Sequence, residues 1–211
     1  MKFRQGVKKI ISIFELYFLR TFSDKNEFIA PAFKGNLQSY RLSEKKGSFF
    51  FGYHDKTPFS ADDSKILAHR FFSSETSIDA ECQPIDIGFF KMDENGVYSK
   101  EFFKIGKTTT WSWQQGSMLQ WNPKNPNNEI IYNNLVREEY GAVIQDIVSG
   151  EITRQYSRAM YSVSDDGLLG VSINFSRLAR LRPGYGYNFM GDKNKSISSP
   201  DNDGIFLVNL D

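Results

Sequence analysis

The sequence predicts an all-β fold: a partial β-propeller of about three four-stranded blades, the third incomplete, preceded by an N-terminal helical segment. Three observations predict it. The 211 residues carry 19 Phe, 10 Tyr and 3 Trp, and rings suit pleated, half-buried surfaces. Beyond residue 50, three passages repeat one order: apolar strand, polar turn, apolar strand, loop, apolar strand. Finally, the turn anchors Ser60, Asn122 and Ser164 stand 62 and 42 residues apart. A propeller or WD40-like period is about 40 to 45 residues, so the second interval fits directly and the first fits with an insertion.

The elements follow in chain order. From Lys2 to Arg20 the basic residues Lys2, Arg4, Lys8 and Lys9 precede Ile10, Ile11, Phe14, Tyr17 and Phe18, whose spacing predicts an apolar stripe on a helix. Glu15 interrupts the apolar core a signal peptide would need, Thr21-Phe22-Ser23 is a poor cleavage site, and the run is far shorter than the roughly 20 apolar residues a span needs, which leaves at most a degenerate targeting segment. Packing on the domain and weak membrane contact by this helix both stay open. The expected organisation is thus a leader at 1–49 and a truncated propeller at 50–211, with blades at about 50–108, 109–157 and 158–211.

Each blade's first corner is polar: Ser60-Ala61-Asp62-Asp63-Ser64, then 122–128, then Ser164-Asp165-Asp166-Gly167. Ser and Asx side chains bond the turn backbone, and Gly167 permits positive φ. The third strands align as 86–92, 141–147 and 204–210. Turns Asp93-Glu94-Asn95-Gly96 and Val148-Ser149-Gly150 lead the first two into a polar outer strand. After the third only Asp211 follows, so the outer strand and further C-terminal blades are expected to be missing, because a closed propeller takes at least about four blades.

Composition narrows function by exclusion. A formal charge of +1 gives no overall pull toward nucleic acid, and no nucleic-acid partner is expected. The single Cys82 cannot form an internal disulfide, which favours a reducing, cytoplasmic setting. With two His, a histidine-rich metal centre has few ligands to draw on. The sequence contains no phosphate loop, HExxH, GxSxG or dinucleotide fingerprint.

Propeller topology brings the start of each first strand, the loop between the second and third strands, and the inter-blade connection to one face. Six residues before each anchor stand His54, Gly116 and Arg158, with Asp55, Lys56, Gln114 and Gln115 beside them. Loops on that face hold Arg137, Glu138 and Glu139 in blade two, and Arg177, Arg180, Arg182, Tyr185 and Tyr187 within 175–203 in blade three. Read as a loop, 175–203 gathers its arginines into a positive, aromatic rim suited to an anionic saccharide. Read blandly, it is a solvated edge whose charges Glu138 and Glu139 satisfy. The ligand-binding candidates are therefore Gln115, Arg158, Arg177, Arg180, Arg182, Tyr185 and Tyr187. His54 and Lys56 are the catalytic candidates, able to move a proton or neutralise an acidic group; holding down a blade connection is the competing role. Trp111 and Trp113 can stack on a sugar or seal the gap between blades.

Residues 161–167, Tyr-Ser-Val-Ser-Asp-Asp-Gly, and 182–187, Arg-Pro-Gly-Tyr-Gly-Tyr, resemble the repeats of TolB-like and oligogalacturonate-lyase-like propellers. The resemblance covers roughly residues 50 to 211 and its motifs are loose. It implies a seven-bladed fold, a divalent metal held by a His and Gln cluster, and β-elimination on uronate oligomers. His54 and Gln115 have side chains of the implied metal-ligand types, without a secure match to that cluster, and His69 falls on a second strand. Two function classes follow: a lyase or hydrolase acting on acidic carbohydrate, and a noncatalytic propeller that binds polysaccharide or protein.

Overall fold

The computed structural model describes residues 41–43, 47–72 and 81–211. The helix expected at 2–20 lies outside the described residues. What is described is mostly β: three antiparallel sheets that follow one another along the chain, each a meander of sequence-adjacent strands. The first holds β1 (Ser48–Phe50), β2 (Lys65–Phe71), β3 (Ile85–Met92) and β4 (Tyr98–Thr108). In the second are β5 (Gln120–Trp121), β6 (Glu129–Val136), β7 (Glu139–Asp146) and β8 (Ile152–Tyr156). The third has three strands, β9 (Ser162–Val163), β10 (Leu169–Ser172) and β11 (Phe206–Asn209).

The corners form for the reason their sequences suggest. Ser60 Oγ bonds Asp62 and receives the Lys65 N–H, while Asp62 Oδ1 receives the Ser64 N–H. The third corner repeats this bond for bond, Ser164 with Asp166, Leu169 N–H to Ser164 Oγ and Leu168 N–H to Asp166. The Ser60 and Ser64 hydroxyls hold the Asp62 carboxyl down to about 2. At the middle corner Asn122 substitutes, its side chain accepting from Lys124 N–H and donating to Glu129. A tighter turn joins β6 to β7: Arg137 and Glu138 both have positive φ, 51° and 63°, the geometry whose twist matches a two-residue hairpin.

The central strands β2, β3, β6 and β7 of the first two sheets are largely buried on both faces. In β3, Ile87 and Phe89 face the second sheet's Leu119, Trp121, Ile130, Tyr132 and Val143. Phe90, one residue out of phase, turns to Ala68 and Phe102 on the opposite side. Trp111 is fully buried with Phe71 and Ile85 and gives its indole N–H to the Gln83 carbonyl, so it seals the core. The second and third sheets meet through Ala142, Met160 and Leu210. Outer strand β8 is largely solvent-facing, while β4 alternates exposed polar residues with Phe102, Phe103 and Ile105 packed inward.

Buried polar groups join the sheets where hydrophobic contact alone would leave them free to slide. Asn133 on β6 gives Nδ2 to the Met160 carbonyl (2.8 Å) and the Tyr187 hydroxyl (2.6 Å), while Oδ1 receives the Met160 N–H (2.7 Å). Gln145 spans β7 to the Ile105 carbonyl and accepts from Tyr132. By contrast, β11 is an edge without charge: Leu207 is 70% exposed and the neighbouring Ile205 80%. Among the described residues no helix is long and apolar enough to cross a membrane.

One expectation fails inside the third sheet's long connection. The arginine-bearing stretch begins as a helix, α1 (Phe175–Leu181), not as a loop. Asn174 caps it by accepting the Arg177 N–H, Phe175 and Ala179 bury one side four residues apart, and Pro183-Gly184 follow its end.

Candidate functional site

Four segments converge: 51–56 just after β1, 111–117 ahead of β5, 157–161 ahead of β9, and 182–187 in the connection that follows α1. Gln115 joins two of them, its Oε1 accepting the Gly186 N–H at 3.2 Å. Gly186 has φ +72°, and a Cβ there would lie 2.2 Å from the Phe175 carbonyl, so only glycine lets this loop close on α1. Gln114 diverges to the exposed side, toward Gly184.

The convergence assembles three half-buried tyrosines from distant parts of the chain. Tyr53 meets Tyr185 edge to face at 6.1 Å between centroids. The Tyr185 hydroxyl raises the Tyr53 phenol above its ordinary value, burial and Tyr161 add to this, and Arg182 opposes it weakly. Two cations border the rings. Lys56 Nζ is 2.9 Å from Asp55 and 5.8 Å from the centre of the Tyr161 ring. Arg182 lies 4.6 Å from the Tyr185 centroid and takes part in none of the described ion pairs. His54 is exposed and packs its ring on Tyr53 at 4.2 Å. The product is an aromatic platform with an exposed, unpaired guanidinium, suited to a flat polar ligand bearing an anion.

The other candidates are dispersed. Arg177 donates to the Ile197 and Ser198 carbonyls with Asp203 at 3.9 Å, and Arg180 pairs with Asp192 at 2.9 Å. Asp192 stays below its usual carboxyl range: burial pushes it up, but the Asn194 N–H and Arg180 outweigh that. The connection therefore neutralises two of its own arginines, and the structure does not gather Arg177, Arg180 and Arg182 into one rim. Tyr187 is not on a rim either. It is fully buried, stacked on Phe175 at 4.3 Å and bonded to Asn133, with burial raising its phenol far above the usual value.

Arg158 lies over a different ring from Arg182, its guanidinium 3.5 Å from the centre of Phe206. It borders a groove of about 360 Å³ between the β6–β7 turn, α1 and residues 190–203. Floor and walls include Tyr140, Phe175, Met190 and Phe206, with Ser157, Asn194 and Asn202 as polar neighbours.

The metal implied by family resemblance finds no ready ligand set. Gln115 is 3% exposed with its oxygen given to Gly186, and His69 is fully buried against Ser117. Among the described residues no three His, Cys, Asp or Glu side chains come together. His54 and Gln115 therefore do not by themselves make a metal centre, and we derive no step through one.

Tyr53 and Tyr161 belong to the platform but were not among the sequence candidates. Tyr53 adjoins His54 in sequence, and Tyr161 lies three residues before the Ser164 corner; their different offsets from the corners leave no repeat signal that pairs them with Tyr185. Neither a protein-family model nor a curated protein matches the chain.

Proposed function

We propose that the three sheets are successive propeller blades and that their shared face recognises an acidic carbohydrate. Support for the blade reading comes from neighbouring corners: Ala61 N–H bonds the Pro126 carbonyl, Asp62 N–H bonds Asn127, and Gly167 packs against Lys124. Successive meanders so stacked, each entered at its short strand, are what a radial array requires. The observation that carries the ligand reading is the Tyr53–Tyr161–Tyr185 platform bordered by Lys56 and the unpaired Arg182. Tyrosine faces suit sugar rings, and a guanidinium fork suits a carboxylate.

Calorimetric titration of the full chain with oligouronates and with neutral oligosaccharides of equal length tests this reading. Acidic oligomers should bind, and R182A should weaken them about tenfold, roughly 1.4 kcal/mol, leaving neutral sugars little changed. Equal losses on both sugar types, or no acidic binding by the unaltered chain, would sink it. His54 and Lys56 are the groups a bond-breaking role would use; shortening of a polyuronate during incubation would add chemistry to recognition.

A further inference from the structure

We propose that the groove beside Arg158 is a second subsite for the same acidic saccharide chain, with Arg158 receiving a carboxylate one or more sugars from the one held by Arg182. This rests on the carbohydrate reading of the tyrosine platform. Charge pairing in the groove singles out Arg158. Lys193 is paired with Glu139, and Asp203 takes Asn174 Nδ2 at 2.8 Å and stands 3.9 Å from Arg177. Arg158 enters none of the described ion pairs or hydrogen bonds; its one described contact is with the face of Phe206. A guanidinium lying on a ring keeps its N–H donors at the edges of its plane, where a carboxylate can accept two of them.

The groove's size and chemistry agree with that role. A volume of about 360 Å³ lies within the usual span of small-molecule sites. Phe206 and Tyr140 present ring surface, while Asn202 and Ser157 offer amide and hydroxyl groups for sugar hydroxyls. The groove and the platform rest on two shared buried residues, Ala159 and Phe175. Ala159 lines the groove and Tyr161, two positions on, belongs to the platform; Phe175 lines the groove and its ring centre is 6.3 Å from that of Tyr161. Two guanidiniums outside the described ion pairs, Arg158 at the groove and Arg182 at the platform, match a polymer that repeats a carboxylate along its length better than a single small anion.

The test is a length series. The full chain, R158A and R182A are titrated with oligouronates from monomer to hexamer, with a thermal melt of each variant. Unaltered protein should bind longer oligomers more tightly. R158A should match it for the shortest sugars and fall about tenfold behind for the longest, whereas R182A should weaken every length. If R158A melts early, Arg158→Gln, which keeps part of the stem on Phe206, replaces it. R158A indistinguishable from wild type at all lengths, with R182A weakened, would overturn the second subsite and leave the platform reading intact. Uniform weakening at every length would assign Arg158 to the first site or to packing, also against the subsite. Absence of uronate binding by the unaltered chain would remove both readings together.

Discussion

At the scale of single residues, His69 shows how burial decides a role that chemistry leaves open. It is fully buried on β2, stacked on Phe50 at 4.9 Å, with Nε2 2.9 Å from Ser117 Oγ. The Ser117 N–H also points at Nε2, at 3.2 Å, so this nitrogen is the acceptor and the proton resides on Nδ1. A Cβ on Gly116 would come within 2.4 Å of the ring, which leaves the imidazole no room to move toward water. Burial pulls its pKa from 6.5 to about 4, with the Phe50 and Phe51 backbone opposing. The sign follows directly. The unfolded chain takes up the proton first, so the folded state loses stability as pH falls from about 6.5 toward 4, by up to roughly 3 kcal/mol at the acid end. Urea unfolding at pH 7 and pH 4.5 should show this loss, and H69Q should lose stability at pH 7 but show a shallower pH dependence. An unchanged dependence in H69Q would place the acid sensitivity elsewhere.

At the scale of elements, the polar corners were legible because each is local. Ser, Asp and the following N–H groups lie within six residues, so the bonds at Ser60 and Ser164 follow from spacing alone. Helix α1 had local signals too, in the Asn174 cap, the Phe175/Ala179 pair and the Pro183-Gly184 stop. A loop reading of 175–203 gathers the arginines into one rim, which α1 and the acids Asp192 and Asp203 do not allow. Asn133 had no such signal, since its partners are 27 and 54 residues away. N133A would strand the buried Met160 N–H and carbonyl and the Tyr187 hydroxyl. At about 1 to 3 kcal/mol for each unsatisfied group, the expected loss is about 3 kcal/mol or more, read by denaturant unfolding. A loss under 1 kcal/mol would mean that the second and third sheets are held by their apolar contact alone.

Across the whole molecule, the sequence correctly indicated three antiparallel sheets in chain order, because strand periodicity and turn chemistry recur in each. The platform was only partly legible: Lys56, His54, Arg182 and Tyr185 were named, but which side chains meet depends on how the sheets stack. Tyr187 illustrates the limit, since it differs from Tyr185 by two positions yet points into the core against Phe175. Edges follow the same logic of neighbours. Strand β4 carries Lys100, Glu101, Lys104 and Lys107, and β8 carries Arg154, which bonds the Leu210 carbonyl. Strand β11 reads Phe-Leu-Val-Asn and has no such guard.

Leu207 and Ile205 are exposed apolar side chains, and among the described residues nothing covers them in the 211-residue chain. Concentrated samples of this 211-residue chain should scatter light on standing as these exposed side chains meet, while the sheets themselves remain folded. A single outward lysine is then a remedy for the bottle with little effect on the fold: L207K, at a side chain 70% exposed, should slow the rise in scattering without lowering the melting temperature. If scattering rises as fast in L207K as in the parent, the stickiness comes from transient unfolding, and the remedy must act on the core instead.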